Sequence, residues 1–257
     1  MPTTDSLTTP MYRCPAIFQG QASLIAAEST RHGGVSPAPY HSLNLGGSTQ
    51  DDPAHVAENN RRFFAALGVK PEQVAKSHQV HGDRILPVTT PGRFEGYDAL
   101  ITHTPGVQIA VTVADCTPIL IYDPVKKTVA AIHAGWRGTV AHIVRKTLVL
   151  FESEYGVQPD TCLAYVGTCI DECSFEVNED VAMHFDSSFK RWDSERSKFF
   201  IDLKKANRED LLEAGVRPEN VEVSAFSTVL NNEDYFSHRL EKGLTGRMLA
   251  TIGIAGT

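Results

Sequence analysis

Thr112–Gly138 reads TVADCTPILIYDPVKKTVAAIHAGWRG. Two apolar runs, Pro118–Tyr122 and Thr128–Ile132, flank the turn-rich segment Asp123-Pro124-Val125-Lys126-Lys127. Strand-like runs separated by a few turn-forming residues predict a β-hairpin. A ladder folded about that turn sets Cys116 opposite His133 to within one residue. Directly opposed side chains lie roughly 5 Å apart at Cβ, close enough to share a metal ion or to act as a thiol–imidazole pair.

Outward from the hairpin, strands and helices alternate. Ile109–Ala114 precedes it as a strand and delivers Asp115 and Cys116. Thr139–Tyr155 follows as a helix carrying Val140, Val144, Leu148 and Phe151 at helical spacing, with Gly156 as its stop. A strand over Cys162–Val166, a helix capped by Asp202 and ending at Gly215, and a strand over Val221–Phe226 come next; Thr245–Ile254 closes the chain as helix or strand. Upstream, Asp51-Asp52-Pro53 starts a helix bearing Val56, Phe63, Phe64 and Leu67 as far as Gly68. The Gly- and Pro-rich stretch between Thr30 and Gly46 is a long loop, of the kind that tends to carry function. One connector recurs: Gly68-Val69-x-Pro71, Gly156-Val157-x-Pro159 and Gly215-Val216-x-Pro218. Each ends a helix and leads into a strand, either as repeated units on a shared sheet layer or as a common stop chemistry. No linker divides the chain, so a single domain is expected over residues 13–257, with 1–12 as a flexible, Thr/Pro-rich N-terminus.

At 257 residues with 42% hydrophobic and 21% charged content, the chain has the composition of a soluble globular protein with ample core. A net charge of −7 argues against a general nucleic-acid or anionic-membrane surface, yet leaves room for a small anion held by a few arginines. No apolar run approaches bilayer length, and the first residues lack a secretory signal pattern. Five cysteines cannot all pair within one chain, and they read as thiols of a reducing cytoplasm.

His81, Cys116 and His133 form the strongest constellation. A His₂Cys set leaves a tetrahedral position open, as a catalytic zinc requires. Equally compatible with the spacing is a buried strand cysteine with loop histidines satisfied by backbone, and nothing in spacing brings in His81. Asp115 is either an orienter of a metal-bound histidine or a plain turn residue. Arg137, flanked by glycines at a strand-to-helix turn, suits an anion such as phosphate or, as a lone arginine, a surface ion pair. Cys162, Cys169 and Cys173 match no standard zinc ribbon and read as structural thiols.

The chain resembles the YfiH family, described as polyphenol-oxidase-like and as purine nucleoside phosphorylases. The matching pieces are TRHGGVSPAPYHSLNLG, QVHGD, ADCTPILIYDP, IHAGWRGT and YFSHRLEKGLTGRM, spanning residues 29 to 248. The resemblance implies a metal site made by the His of QVH, the Cys of ADC and the His of HAGWRG, here His81, Cys116 and His133. It also implies an α/β/β/α sandwich with mixed sheets, similar to cysteine-hydrolase-like toxin domains. The implied activity is zinc-dependent phosphorolysis of adenosine, inosine and methylthioadenosine to free base and ribose 1-phosphate, together with adenosine deamination at purine C6. Purine nucleosides and inorganic phosphate are then the partners of a cytoplasmic monomer. Arg61, Arg137 and Arg239 are candidates for the phosphate, and Asn44 for a polar contact to substrate. The chain departs from the family pattern at Gly167-Thr168-Cys169-Ile170, usually GP-x-I, and at Ser227-Thr228, often Cys-Thr. Two other chemistries fit the same residues: copper in this site with a laccase-like polyphenol oxidase activity, or a metal-free Cys–His amidase acting on a cell-wall precursor. The first is disfavoured as a multicopper centre because the 10 histidines include no His-x-His pair and Met numbers only 4.

Overall fold

The hairpin forms at the centre of a sheet. In the computed structural model, which describes residues 9–256, Thr117–Asp123 pairs antiparallel with Thr128–Ala134. The Asp123 carboxylate tightens the turn by accepting from the Lys126 N–H at 2.6 Å. Every residue of both strands is buried, which explains why they read as continuous apolar runs and not as an alternation. Ile119, Ile121, Ala130 and Ile132 point one way, into a core shared with the helices Ile143–Tyr155 and Leu203–Glu213. Leu120, Tyr122, Val129 and Ala131 point the other way, against a second sheet.

The hairpin sheet runs Val221–Val223, Leu163–Val166, the two hairpin strands, Ala99–Thr102 and Ile85–Pro87. The facing sheet runs Tyr12–Arg13, Leu24–Ser29, Met248–Ile254, Gln108–Val113, Val74–His78 and Gly92–Glu95. Its outer face is covered by the helix Pro53–Ala66, whose Phe63 and Phe64 pack on Ala27, Ala110 and Leu249. The Asp52 carboxylate caps that helix, accepting from the Ala54 N–H at 2.8 Å, and Pro53 occupies its first turn. Helix, sheet, sheet and helix make the expected α/β/β/α sandwich, with parallel and antiparallel pairs in both sheets.

Several details differ from the sequence expectation. The helix over 139–155 is two pieces, Trp136–Val140 and Ile143–Tyr155, because His142 adopts a left-handed conformation (φ 56°) and ties its ring to Asp210 at 2.8 Å. Thr245–Ile254 resolves as a strand, Met248–Ile254, at the middle of the facing sheet. A small sheet of Glu176–Val177, Lys190–Asp193 and Lys198–Ile201 goes beyond the sequence expectation, since its strands are only two to four residues long and show no apolar alternation. The recurring connectors each place glycine at positive φ and proline at the start of a 3₁₀ turn. Two lead into the parallel neighbours Leu163–Val166 and Val221–Val223, but the third leads into the other sheet, so the connector is a stop chemistry and not one shared layer. Of the N-terminus expected to be flexible, residues 1–8 lie outside the described residues; Tyr12 pairs with Ser29, and the Thr30 hydroxyl donates to the Pro10 carbonyl at 2.7 Å. Among the described residues no helix is long and apolar enough to cross a membrane.

Candidate metal centre

The hairpin register is shifted from the expected one by more than the single residue allowed. Pro118, not Cys116, lies opposite His133, so Cys116 sits two residues beyond it as a diagonal neighbour on the same face. That face is the one toward the second sheet, and the pair lies at the open end of the sandwich. His81 arrives from the bend after Val74–His78, with a left-handed backbone (φ 59°) that turns its ring inward. The ligand atoms of His81, Cys116 and His133 all lie within 4.8 Å of one another. The two imidazole rings meet edge to face, 4.8 Å between centroids at 82°.

What brings His81 to the hairpin is a residue the sequence did not single out. Asp98 is fully buried at the start of the strand beside Thr128–Ala134. Its carboxylate accepts from the His81 N–H at 2.9 Å, the Gly82 N–H at 2.8 Å and the Val80 N–H at 3.3 Å. The same carboxylate accepts from His133 Nδ1 at 2.8 Å, while the Asp98 carbonyl accepts the His133 N–H at 2.7 Å. One side chain therefore clamps the 80–82 bend and the His133 ring together. Burial alone would raise the Asp98 carboxyl, but the hydrogen bonds from His133 and the backbone hold it below its ordinary value. Asp115, the residue considered for that orienting role, does something else. Its two oxygens accept from the Thr228 hydroxyl and the Arg239 N–H, both at 2.6 Å, and so fasten the C-terminal loops to the site.

With Nδ1 committed to Asp98, His133 presents Nε2 to the thiol. Burial pushes the Cys116 thiol up, but attraction and hydrogen bonding from His133 and His81 draw it down to about 6. Burial in turn disfavours a charged His133, yet the Cys116 thiolate and Asp98 raise it to about 9. The metal-free pair is thus a thiolate–imidazolium pair, and a cation can take the place of the shared proton. Gly135 supplies the space: a Cβ there would lie 3.1 Å from His81 Cδ2 and 3.2 Å from Cys116 Sγ. Two imidazoles and a thiolate, oriented by a buried carboxylate and facing a cleft, suit zinc or copper.

That cleft, about 810 Å³, begins at the three residues and runs toward the helix Pro53–Ala66. Lys76, Arg93, Arg239 and Arg247 line it, and none has a carboxylate within 4.0 Å among the described residues. Of the anticipated phosphate ligands only Arg239 is there. Arg61 is exposed on the helix surface and chelates the Glu58 carboxylate at 2.7 and 2.8 Å. Arg137 is exposed and stacks on Trp136 at 4.5 Å, off the cleft wall. Asn44 is fully buried; it donates to Thr49 and Asp51 and accepts from the Gly46 and Arg247 N–H groups, so it braces the loop and does not reach the cleft. Arg247, in the quoted TGRM, was within reach of sequence reading; Lys76 and Arg93 carried no motif.

The remaining thiols play no part in the cluster. Burial pushes Cys162 and Cys169 up to about 12, as for inert structural thiols, and Cys14 and Cys173 are exposed. Of the two segments that depart from the family pattern, Ile170 reaches the cleft wall, whereas Thr168, Ser227 and Thr228 do not. Thr168 donates its N–H and hydroxyl to the buried Glu28 carboxylate at 2.8 and 2.9 Å, and the Ser227 hydroxyl donates to Asp171.

Residues 25–255 match the family described as multi-copper polyphenol oxidoreductase laccase. The chain is 41% identical over 230 residues to a purine nucleoside phosphorylase of Deinococcus radiodurans, covering 89% of this chain and 88% of that protein. The chain belongs to this family. It is also 38% identical over 236 residues to the purine nucleoside phosphorylase YfiH of Escherichia coli, covering 88% and 92%. Among solved structures, YlmD from Geobacillus stearothermophilus superposes with a TM-score of 0.90 at 32% identity, covering 97% of this chain and 98% of that one.

Proposed function

We propose that the chain is a zinc-dependent purine nucleoside phosphorylase that also deaminates adenosine. The observation that carries the reading is a metal-competent His81–Cys116–His133 cluster opening into a cleft lined by four cations without acidic partners. The names borne by its relatives point to the same substrates. Bound at the cluster, zinc would supply Lewis acidity and a lowered pKa for water, the chemistry that deamination at purine C6 requires.

The chain's own residues do the rest. Asp98 holds the His133 tautomer, with Nδ1 protonated and Nε2 aimed at the cluster. Trp136 and Phe175 offer aromatic surface to a base at this end of the cleft. The lining cations fix phosphate against ribose C1′, where positive charge develops as the glycosidic bond breaks. Purine nucleosides and inorganic phosphate are the partners on this reading, and the protein works as a cytoplasmic monomer. Adenosine incubated with and without phosphate tests it: base release should require phosphate, and ammonia release should not.

A second reading has its own observation. Cys116 lies with its Sγ within 4.8 Å of the His133 ring nitrogen, and His133 is hydrogen-bonded to Asp98, the order of a thiol nucleophile, its base and an orienter. Activity that survives chelators but not alkylation would favour that amidase-like chemistry. A multicopper oxidase fits less well, since among the described residues one His/Cys/carboxylate group of metal-binding geometry is found. Phenol oxidation appearing only after copper loading would mark copper as a substitute in the same site.

A further inference from the structure

The facing sheet sets Lys76 directly opposite Arg93 on parallel neighbouring strands. Such strands run about 4.8 Å apart and directly opposed residues share a face. Like charges in that position repel, and here no carboxylate stands within ion-pair distance of either among the described residues. Lys76 is half-buried under the helix Pro53–Ala66, with Nζ 5.1 Å from the Phe64 ring centroid and 2.5 Å from Asn60 Oδ1, a neutral partner. Arg93 makes no hydrogen bond among the described residues, and the Gly47 turn closes against it, a Cβ there lying 3.6 Å from its guanidinium.

The other two cations of the cleft are committed. Arg247 donates to the Thr245 and Gly246 carbonyls at 3.0 and 2.8 Å. Arg239 donates to the Ser174 and Glu176 carbonyls at 3.4 and 3.1 Å. Arg239 is tied through its N–H to Asp115, beside Cys116, whereas Lys76 lies under the helix Pro53–Ala66, where burial and then the neighbouring Arg93 push its ammonium down to about 7. Lys76 and Arg93 are therefore a like-charged pair with no acidic partner among the described residues, set at the helix end of the cleft and away from His81, Cys116 and His133.

We propose that Lys76 and Arg93 form the subsite for the phosphate dianion that attacks ribose C1′. The inference rests on the phosphorolysis reading and adds a pose to it. The purine C6 edge lies at the cluster, the ribose spans the cleft, and C1′ faces the cation pair, so phosphorolysis and deamination use one bound orientation. A phosphate oxygen forms the new bond to C1′ while the C1′–N9 bond breaks and its electron pair goes to the base. The proton of HPO₄²⁻ ends on that base through solvent, leaving ribose 1-phosphate.

Inorganic phosphate binding is measured by calorimetry on wild type, Lys76→Met, Arg93→Ala and, as a control outside the cleft, Arg61→Ala; KM for phosphate is measured in parallel with adenosine. Loss of one charge-assisted contact should raise the Kd and KM for phosphate roughly tenfold or more in each cleft variant, while KM for adenosine moves far less. Lys76→Met keeps an unbranched chain beside Phe64, and Arg93 is exposed, so both variants should melt near wild type. Phosphorolysis with unchanged phosphate KM in both variants overturns the subsite and leaves the phosphorylase reading standing. Phosphate binding that is lost in Arg93→Ala, in a protein that cleaves no nucleoside, supports the subsite and overturns the phosphorylase reading. A wild-type protein that binds no phosphate overturns the subsite.

Discussion

Replacing Asp98 should damage the metal centre without touching a metal ligand. Its carboxylate accepts four hydrogen bonds, three from the backbone of residues 80–82 and one from His133 Nδ1. In Asp98→Asn the side chain keeps its shape, but one oxygen becomes an NH₂ group aimed at N–H donors, and the partner of His133 loses its charge. Loss of such an orienting carboxylate typically costs 10–100-fold in metal affinity, so the zinc Kd should rise by roughly that factor. Asp98→Ala is harsher: stranding buried donors and an imidazolium costs about 3–5 kcal/mol, or roughly 6–20 °C in Tm for a chain of this size. Competition with a chromophoric chelator measures the first quantity and thermal melting of the metal-free protein the second. Zinc affinity of Asp98→Asn within about twofold of wild type would refute the assignment of Asp98 as the residue that holds His133.

Other substitutions separate site from scaffold. Gly135 has ordinary extended dihedrals (φ −71°, ψ 170°), so Gly135→Ala should fold normally yet lose metal stoichiometry by crowding His81 and Cys116; full zinc occupancy by elemental analysis would contradict this. Because the metal-free Cys116 thiol titrates at about 6, its thiolate fraction rises through that pH and is near full at neutrality, whereas burial at Cys14 and the Asp171 carboxylate beside Cys173 raise those thiols. Iodoacetamide labelling mapped by mass spectrometry should therefore plateau for Cys116 above neutral pH while the other two keep climbing; a Cys116 rate that follows an ordinary thiol, near about 8.5, would refute the pairing with His133. Asn44→Ala should lower stability by about 1–3 kcal/mol by leaving the Gly46 and Arg247 N–H groups unpartnered, with kcat per folded molecule retained. Unchanged melting would show that Asn44 does not brace the loop.

How far the sequence could be read follows from the range of each determinant. The hairpin, the capped helix at Asp52 and the glycine stops depend on residues a few positions apart, and they were legible. So was the closeness of Cys116 to His133, although the residue opposite His133 is two positions from Cys116, because turn length fixes register only loosely. His81 entered through resemblance to a family, since its tie to the hairpin runs through Asp98, 17 positions from His81 and 35 from His133. A single aspartate in Tyr97-Asp98-Ala99 gives no local sign of that duty. The phosphate candidates fared worse for a related reason. Arg61 and Arg137 sit in conspicuous local settings but point to solvent, while Lys76 and Arg93 meet through a parallel strand pairing that no local pattern predicts. The break at His142 was hidden because the apolar spacing of Val140, Val144 and Leu148 runs straight through it.

A metal centre that works on nucleosides is the core of this chemistry. It is tested most directly by metal analysis of protein purified without added metal, paired with an adenosine assay with and without phosphate on wild type and Cys116→Ala. Wild type should carry stoichiometric zinc and release base only with phosphate, and Cys116→Ala should lose both. A metal-free wild-type protein that leaves nucleosides intact, with or without added zinc, would contradict it and turn attention to Cys116 as a thiol nucleophile.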